Sequence, residues 1–173
     1  MSLAFSPEAL QQIEAIRGRY PNAQAACLPV LHLAQDEFGY VSDETIDLVA
    51  NVLALSPAHV WGVVTFYTMY HRHPTGKHVL MVCTNVSCML RGGYDVLHAI
   101  EARLGCKAGE NSADGEFTIV EEECLAACAD APCLIAGEQY FLRLTPDTAL
   151  RALDEIKKMP PDHKTHPLKE AGH

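Results

Sequence analysis

Val82-Cys83-Thr84-Asn85-Val86-Ser87-Cys88 and Glu123-Cys124-Leu125-Ala126-Ala127-Cys128 carry two cysteine pairs, spaced C-x4-C and C-x3-C, each after a strand-like run. Thiolates are soft ligands, and four of them delivered as two pairs from neighbouring loops suit one compact, electron-rich centre. The centre that such a set most naturally holds is a [2Fe–2S] cluster, in which each iron takes two cysteine sulfurs.

The chain holds seven cysteines. Five fall in the loops of its second half: Cys83, Cys88, Cys124, Cys128 and Cys133. A cluster needs four, and spacing alone leaves the choice open, because Cys128 and Cys133 are also separated by four residues. Pro132, Leu134 and Ile135 place Cys133 at the start of a buried strand, where a cysteine acts as a small core hydrophobe. Cys83, Cys88, Cys124 and Cys128 are therefore the expected ligands.

Three other uses of these thiols compete. A structural zinc usually takes its thiolates from tighter knuckles, although wider ones occur. A dithiol oxidoreductase needs C-x-x-C at a helix start, and the sequence has none. Four buried thiols without metal fit poorly with pairs set in polar loops. Small neighbours at Ala126, Ala127, Ala129 and Ala131 allow backbone N–H groups to approach the sulfurs. Thr84, Asn85 and Ser87 offer side-chain donors on the other loop. Glu121-Glu122-Glu123, beside Cys124, reads as a solvated strand end.

Composition narrows the class. At 173 residues with 49% hydrophobic content, the chain can bury a real core. A net charge of -9 argues against nucleic acid, since no basic stripe exists to displace counterions from phosphates. The N-terminus has no basic n-region, and the longest apolar run, residues 60–70, is too short to span a bilayer. Seven cysteines without an export signal suit a reducing compartment, so a cytoplasmic protein with no direct membrane insertion is expected.

Residues 1–73 read as a small bundle of four helices. Ser6-Pro7 opens the first, with Leu10, Ile13 and Ile16 at helical spacing. The second spans residues 22–38, with Pro29 inside the window, and stops at Gly39. Ser42 caps a third, whose Ile46, Val49, Ala50 and Leu53 form one stripe. Ser56-Pro57 opens a fourth carrying Val60, Trp61 and Val64. Pro74-Thr75-Gly76 marks a change of periodicity.

From residue 74 to 159 the pattern gives strands at 79–82, 117–120, 133–136 and 139–142, and helices at 95–104 and from Thr145-Pro146 onward. That order with a small mixed sheet fits a thioredoxin-like layer. Residues 160–173 lack periodic apolar residues and read as a flexible C-terminal tail. His71, His73 and His78 match no ligand spacing and read as a solvated linker. Cys27 and Cys106 read as structural.

No G-x-G-x-x-G follows a strand, no phosphate-binding loop appears, and no Ser/His/Asp or zincin pattern can be assembled. A one-electron centre without a substrate pocket must exchange electrons with another protein.

Beyond the two cysteine pairs, several stretches carry a resemblance to a known family. They are Val60-Trp61-Gly62-Val63-Val64-Thr65-Phe66-Tyr67, Gly39-Tyr40-Val41, Pro74-Thr75-Gly76-Lys77, and the connection from Leu104-Gly105 to Asp114-Gly115-Glu116-Phe117, together with Pro21, Leu31, Gln35 and Ala131-Pro132. Over residues 8–158 the chain resembles the thioredoxin-like [2Fe–2S] subunit, the E subunit type, of bacterial NADH:quinone oxidoreductase (complex I).

The resemblance implies an α/β chain in which a small N-terminal helical bundle precedes a thioredoxin-like [2Fe–2S] ferredoxin domain. It implies ligation by Cys83, Cys88, Cys124 and Cys128, and a place in the peripheral arm of a membrane-associated complex. It also implies a partner flavoprotein of the F subunit type, which carries FMN and NADH, and further iron–sulfur subunits. The same subunit type serves NAD-linked hydrogenases and formate dehydrogenases. The respiratory complex is the preferred host, and a zinc interaction module with four cysteine ligands is the remaining alternative. Cys133, and the segment Ala136-Gly137-Glu138-Gln139-Tyr140, depart from the family pattern.

Overall fold

The structure is a computed structural model that describes residues 3–162, and the chain divides into two compact units, one ending at Pro74 and the other beginning at Thr75. The first unit holds α1 (Pro7–Arg17), α2 (Ala23–Phe38), α3 (Asp43–Leu53) and α4 (Pro57–Phe66). Each of these helices starts on a side-chain cap. Ser6 accepts the N–H of Ala9, Asn22 that of Ala25, Ser42 that of Thr45 and Ser56 that of His59. Each cap is worth about 1 kcal/mol, so the four boundaries are set locally.

Packing then fixes which faces turn inward. Ile46, Val49, Ala50 and Leu53 of α3 are all buried, as their spacing predicts. On α1 the small Ala9 is buried beside Ile13 and Ile16, while Leu10 stays 44% exposed. Trp61 is not a core residue either: it is 45% exposed, and the Arg72 guanidinium lies 4.3 Å from its ring centroid. α2 runs unbroken through Pro29 and ends at Gly39, whose φ of 82° suits a residue without a Cβ. The buried Gln35 fastens the segment after α4, donating to the Met69 carbonyl at 2.9 Å and accepting the His71 N–H at 2.7 Å.

The second unit runs β1 (His78–Cys83), α5 (Val86–Leu90), α6 (Gly93–Leu104), β2 (Phe117–Glu122), a single 3-10 turn (Cys128–Asp130), β3 (Leu134–Ala136), β4 (Gln139–Phe141) and α7 (Pro146–Ile156). The strands form one sheet in the order β2-β1-β3-β4. β1 and β2 are parallel, whereas β1–β3 and β3–β4 are antiparallel. A parallel neighbour requires a crossover, supplied here by the segment containing α5 and α6. α6 packs on β1 and β2 and against α7. Leu80, Ile100, Ile119, Leu134, Leu153 and Ile156 fill the core between them. Truncating any one of these to alanine costs about 2–5 kcal/mol.

The fold is the expected α/β arrangement with a mixed sheet. Two short elements lie outside that expectation, α5 and the 3-10 turn, and both adjoin cysteines. His78 is also not part of a solvated linker. It is the first residue of β1, 1% exposed, with its ring 5.8 Å from that of Phe117. Asp162, expected in the tail, is tied down: it donates its N–H to the Lys77 carbonyl and accepts that of Val79. Residues 163–173 of the expected tail lie outside the described residues.

Candidate metal centre

The cysteine-bearing loops gather at the carboxyl ends of β1 and β2, where open α/β sheets place their ligands. Register explains why. Parallel pairing sets Cys83, the last residue of β1, opposite Glu122, the last of β2. The Thr84 N–H continues the ladder to the Glu122 carbonyl at 3.2 Å. The chain leaving β2 therefore passes the Cys83 thiol, whose sulfur is 3.9 Å from the Glu123 carbonyl oxygen.

Cys88 is presented by α5, which Asn85 caps by accepting the Val86 N–H at 2.7 Å. Two contacts fix its position. Arg91 Nε donates to the Ala131 carbonyl at 2.9 Å, anchoring the end of α5 to the segment before β3. Gly93 packs so closely that a Cβ there would meet the Cys88 carbonyl carbon and oxygen at 2.9 Å. Cys83 and Cys88 are 3% and 1% exposed.

Cys124 and Cys128 lie on the loop after β2 and are exposed. Ala126, between them, has a φ of 59°, a left-handed conformation that costs a non-glycine residue roughly 1 kcal/mol. Its N–H points at Cys124 Sγ, 3.4 Å away. Tyr140 Oη donates to the Leu125 carbonyl, and the Arg143 guanidinium pairs with Asp130 at 2.7 Å, so both halves of the loop are held. Cys128 opens the 3-10 turn, which packs against α5.

Cys133 stands immediately before β3 and is 1% exposed, in keeping with its reading as a buried residue. Its location brings something further. The Cys83 N–H donates to the Cys133 carbonyl at 3.1 Å, and the sulfurs of Cys83, Cys88 and Cys133 all lie within 4.8 Å of one another. No local pattern could have revealed this, because it depends on the antiparallel β1–β3 pairing. Thr84 and Asn85 were expected to offer side-chain donors to sulfur, but the Thr84 hydroxyl goes to Glu121 and the Asn85 carbonyl oxygen caps α5.

Backbone groups act on the sulfurs instead. Burial raises the proton affinity of Cys83, but the N–H groups of Leu125 and Asn85, with the Cys88 and Cys133 thiols, outweigh it and hold the thiol below the ordinary range. Burial and the adjacent Cys83 sulfur push Cys88 up. Burial, then the charge of Cys88, pushes Cys133 up to about 12. The donor set thus fits an iron–sulfur group: soft sulfurs, one with its thiol held below the ordinary range, with amide N–H groups directed at Cys83 and Cys124. Cys27 and Cys106 sit in the separate cores of the two units, and burial raises both.

Comparison with known proteins agrees with this chemistry. The family described as thioredoxin-like [2Fe-2S] ferredoxin matches residues 13–157. A mitochondrial protein of Dictyostelium discoideum named NADH dehydrogenase [ubiquinone] flavoprotein 2 is 36% identical over 160 residues, 91% of this chain. The chain spans 65% of that relative's length. A Rhizobium meliloti protein named as a subunit of NADH-quinone oxidoreductase is 40% identical over 130 residues, covering 75% of this chain and 77% of that protein. Among solved structures, an NAD+-reducing [NiFe]-hydrogenase in the H2-reduced state has a similar fold, with a TM-score of 0.67. That match is 16% identical and covers 82% of this chain and 24% of the hydrogenase chain. Among the described residues, no helix is long and apolar enough to cross a membrane. The chain belongs to the thioredoxin-like [2Fe–2S] ferredoxin family, and one [2Fe–2S] cluster is its cofactor.

Proposed function

We propose that this chain is an electron-transfer subunit of an NADH:quinone oxidoreductase, with the cluster held by Cys83, Cys88, Cys124 and Cys128. The bound cluster supplies a one-electron centre that exchanges electrons with the FMN of a separate NADH-oxidising flavoprotein subunit. Further iron–sulfur subunits complete a cytoplasmic, peripheral arm. In this reading residues 1–73 form a helical domain and residues 74–159 the cluster-bearing domain.

The observation that carries the proposal is the convergence of two cysteine loops on the ends of two hydrogen-bonded parallel strands, with amide N–H groups directed at Cys83 and Cys124. Each part of the chain has a task there. β1 and α5 hold the buried Cys83 and Cys88 in place, and the loop after β2 brings Cys124 and Cys128 from the solvent side. Val86, Met89 and Leu90 leave an apolar rim on α5 beside Cys88, 58%, 46% and 76% exposed, which suits contact with a protein partner. Relatives named as subunits of NADH-quinone oxidoreductase support the host enzyme.

Anaerobic purification of the full chain tests the reading. The expected protein is red-brown, contains iron and acid-labile sulfide, and gives a rhombic paramagnetic signal after dithionite reduction. It oxidises NADH only after its flavoprotein partner is added. Protein free of iron and sulfide, or NADH oxidation by the single chain, overturns the proposal.

A further inference from the structure

Leu125 and Ala126 share one peptide unit, and both of its ends are engaged. The carbonyl accepts the Tyr140 hydroxyl at 3.1 Å, and the N–H, that of Ala126, points at Cys124 Sγ 3.4 Å away. A continuous path therefore runs from a tyrosine on β4 to the sulfur of a proposed ligand. One peptide earlier, the Leu125 N–H is directed at Cys83. Two successive amides thus reach one sulfur from each cysteine pair.

The chain needs a brace at this turn. Ala126 has a φ of 59°, a conformation that its Cβ disfavours. The Leu125 side chain packs inward against the buried group of Cys83, Cys88, Ala131 and Cys133, while its carbonyl goes to Tyr140. Strand register supplies that tyrosine. Antiparallel pairing sets Tyr140 opposite Ile135, and alternation along β4 buries Phe141 while Tyr140 stays 47% exposed. Tyr140 is no core residue, and its hydroxyl serves the loop.

We propose that Tyr140 is a positioning residue of the cluster, acting on Cys124 through the Leu125–Ala126 peptide. This role rests on the proposed ligation by Cys124. A donor on a peptide carbonyl polarises the unit and strengthens its own N–H as a donor. Hydrogen bonds to the ligand sulfurs help to set the reduction potential, because they stabilise the negative charge gained on reduction. Tyr140 therefore holds the potential up from one peptide away.

Tyr140→Phe removes the hydroxyl and keeps the ring. In the anaerobically purified full chain it should retain iron and sulfide at the unsubstituted level, with the midpoint potential shifted to a more negative value. Tyr20→Phe, which takes a hydroxyl from a tyrosine 41% exposed in the helical unit, should leave the potential where it is. Redox titration followed by the paramagnetic signal reads both. The metal-free chain gives a second readout: the Leu125 carbonyl-carbon and Ala126 amide resonances should move in Tyr140→Phe and stay in place in Tyr20→Phe.

An unchanged or more positive potential in Tyr140→Phe would overturn the role, and so would unmoved Leu125 and Ala126 resonances. An equal shift in Tyr20→Phe would overturn it as well, since the effect would then belong to the fold. Loss of the cluster from folded Tyr140→Phe would do the same, by making the residue one of assembly. Iron and sulfide are measured first in the unsubstituted chain. Their absence there marks failure of the proposed function, and the resonances still judge the peptide contact.

Discussion

Cys83 and Glu122 stand opposite each other as the last residues of the parallel pair β1 and β2. This register brings the loops that carry two cysteine pairs, far apart in sequence, to the same end of the sheet, because each loop starts where its strand ends. Slipping it by one residue would turn the Cys83 side chain to the other face of the sheet.

Under the proposed ligation, Cys83→Ala and Cys128→Ala should each lose most of their iron and acid-labile sulfide. Cys27→Ala should retain both, because its thiol is in the core of the other unit. Iron and sulfide assays per chain, with the visible spectrum, check this. Full cluster in Cys128→Ala, with loss in Cys133→Ala, would reassign the fourth ligand.

Two glycines separate damage to the site from damage to the fold. A Cβ at Gly93 would press on the Cys88 backbone at 2.9 Å, whereas one at Gly76 would press on the Phe117 backbone at 2.6 Å. Overpacking of this kind costs about 1–3 kcal/mol. Gly93→Ala should lower the iron bound per folded chain. Gly76→Ala should lower the unfolding midpoint in urea but leave that ratio unchanged.

The iron–sulfur cofactor was legible because ligand chemistry restricts both residue type and spacing. The long helices were legible too, since capping residues and apolar periodicity agree at Ser42 and along Ile46, Val49, Ala50 and Leu53. α5 was not, because Val86-Ser87-Cys88-Met89-Leu90 is too short to display a period. Nor was the burial of His78, because its strand begins one residue earlier than the apolar run suggests. The closeness of Cys133 to Cys88 arises from strand pairing, which composition does not encode.

Asp162 should prove to be a structural residue. Its Oδ2 accepts the Val79 N–H at 2.7 Å, and its Oδ1 faces the buried His78 Nδ1 at 3.9 Å. Asp162→Ala leaves a strand N–H without its acceptor and should cost about 1–3 kcal/mol. Chemical denaturation of the full chain measures it, and an unchanged midpoint would refute the role.

Glu101 gives the protein part of its acid sensitivity. Lys107, with the Ala108 N–H, holds its carboxyl below the ordinary 4.5. The stabilisation is therefore complete above pH 4.5 and disappears as the pH falls through the lower folded value. Glu101→Gln should flatten the fall of the melting temperature in that acid range. A slope equal to that of the unsubstituted chain would count against the pairing.

The two cysteine pairs differ in what surrounds them. Cys83 and Cys88 are locked into the hydrophobic interior, whereas Cys124 and Cys128 ride on a surface loop bent through Ala126. Under the proposed ligation, chelators and oxidants arriving from water meet the outer pair first, and disassembly begins on that side. Changes around the outer pair stay at the surface, while any change to the inner pair disturbs the middle of the sheet.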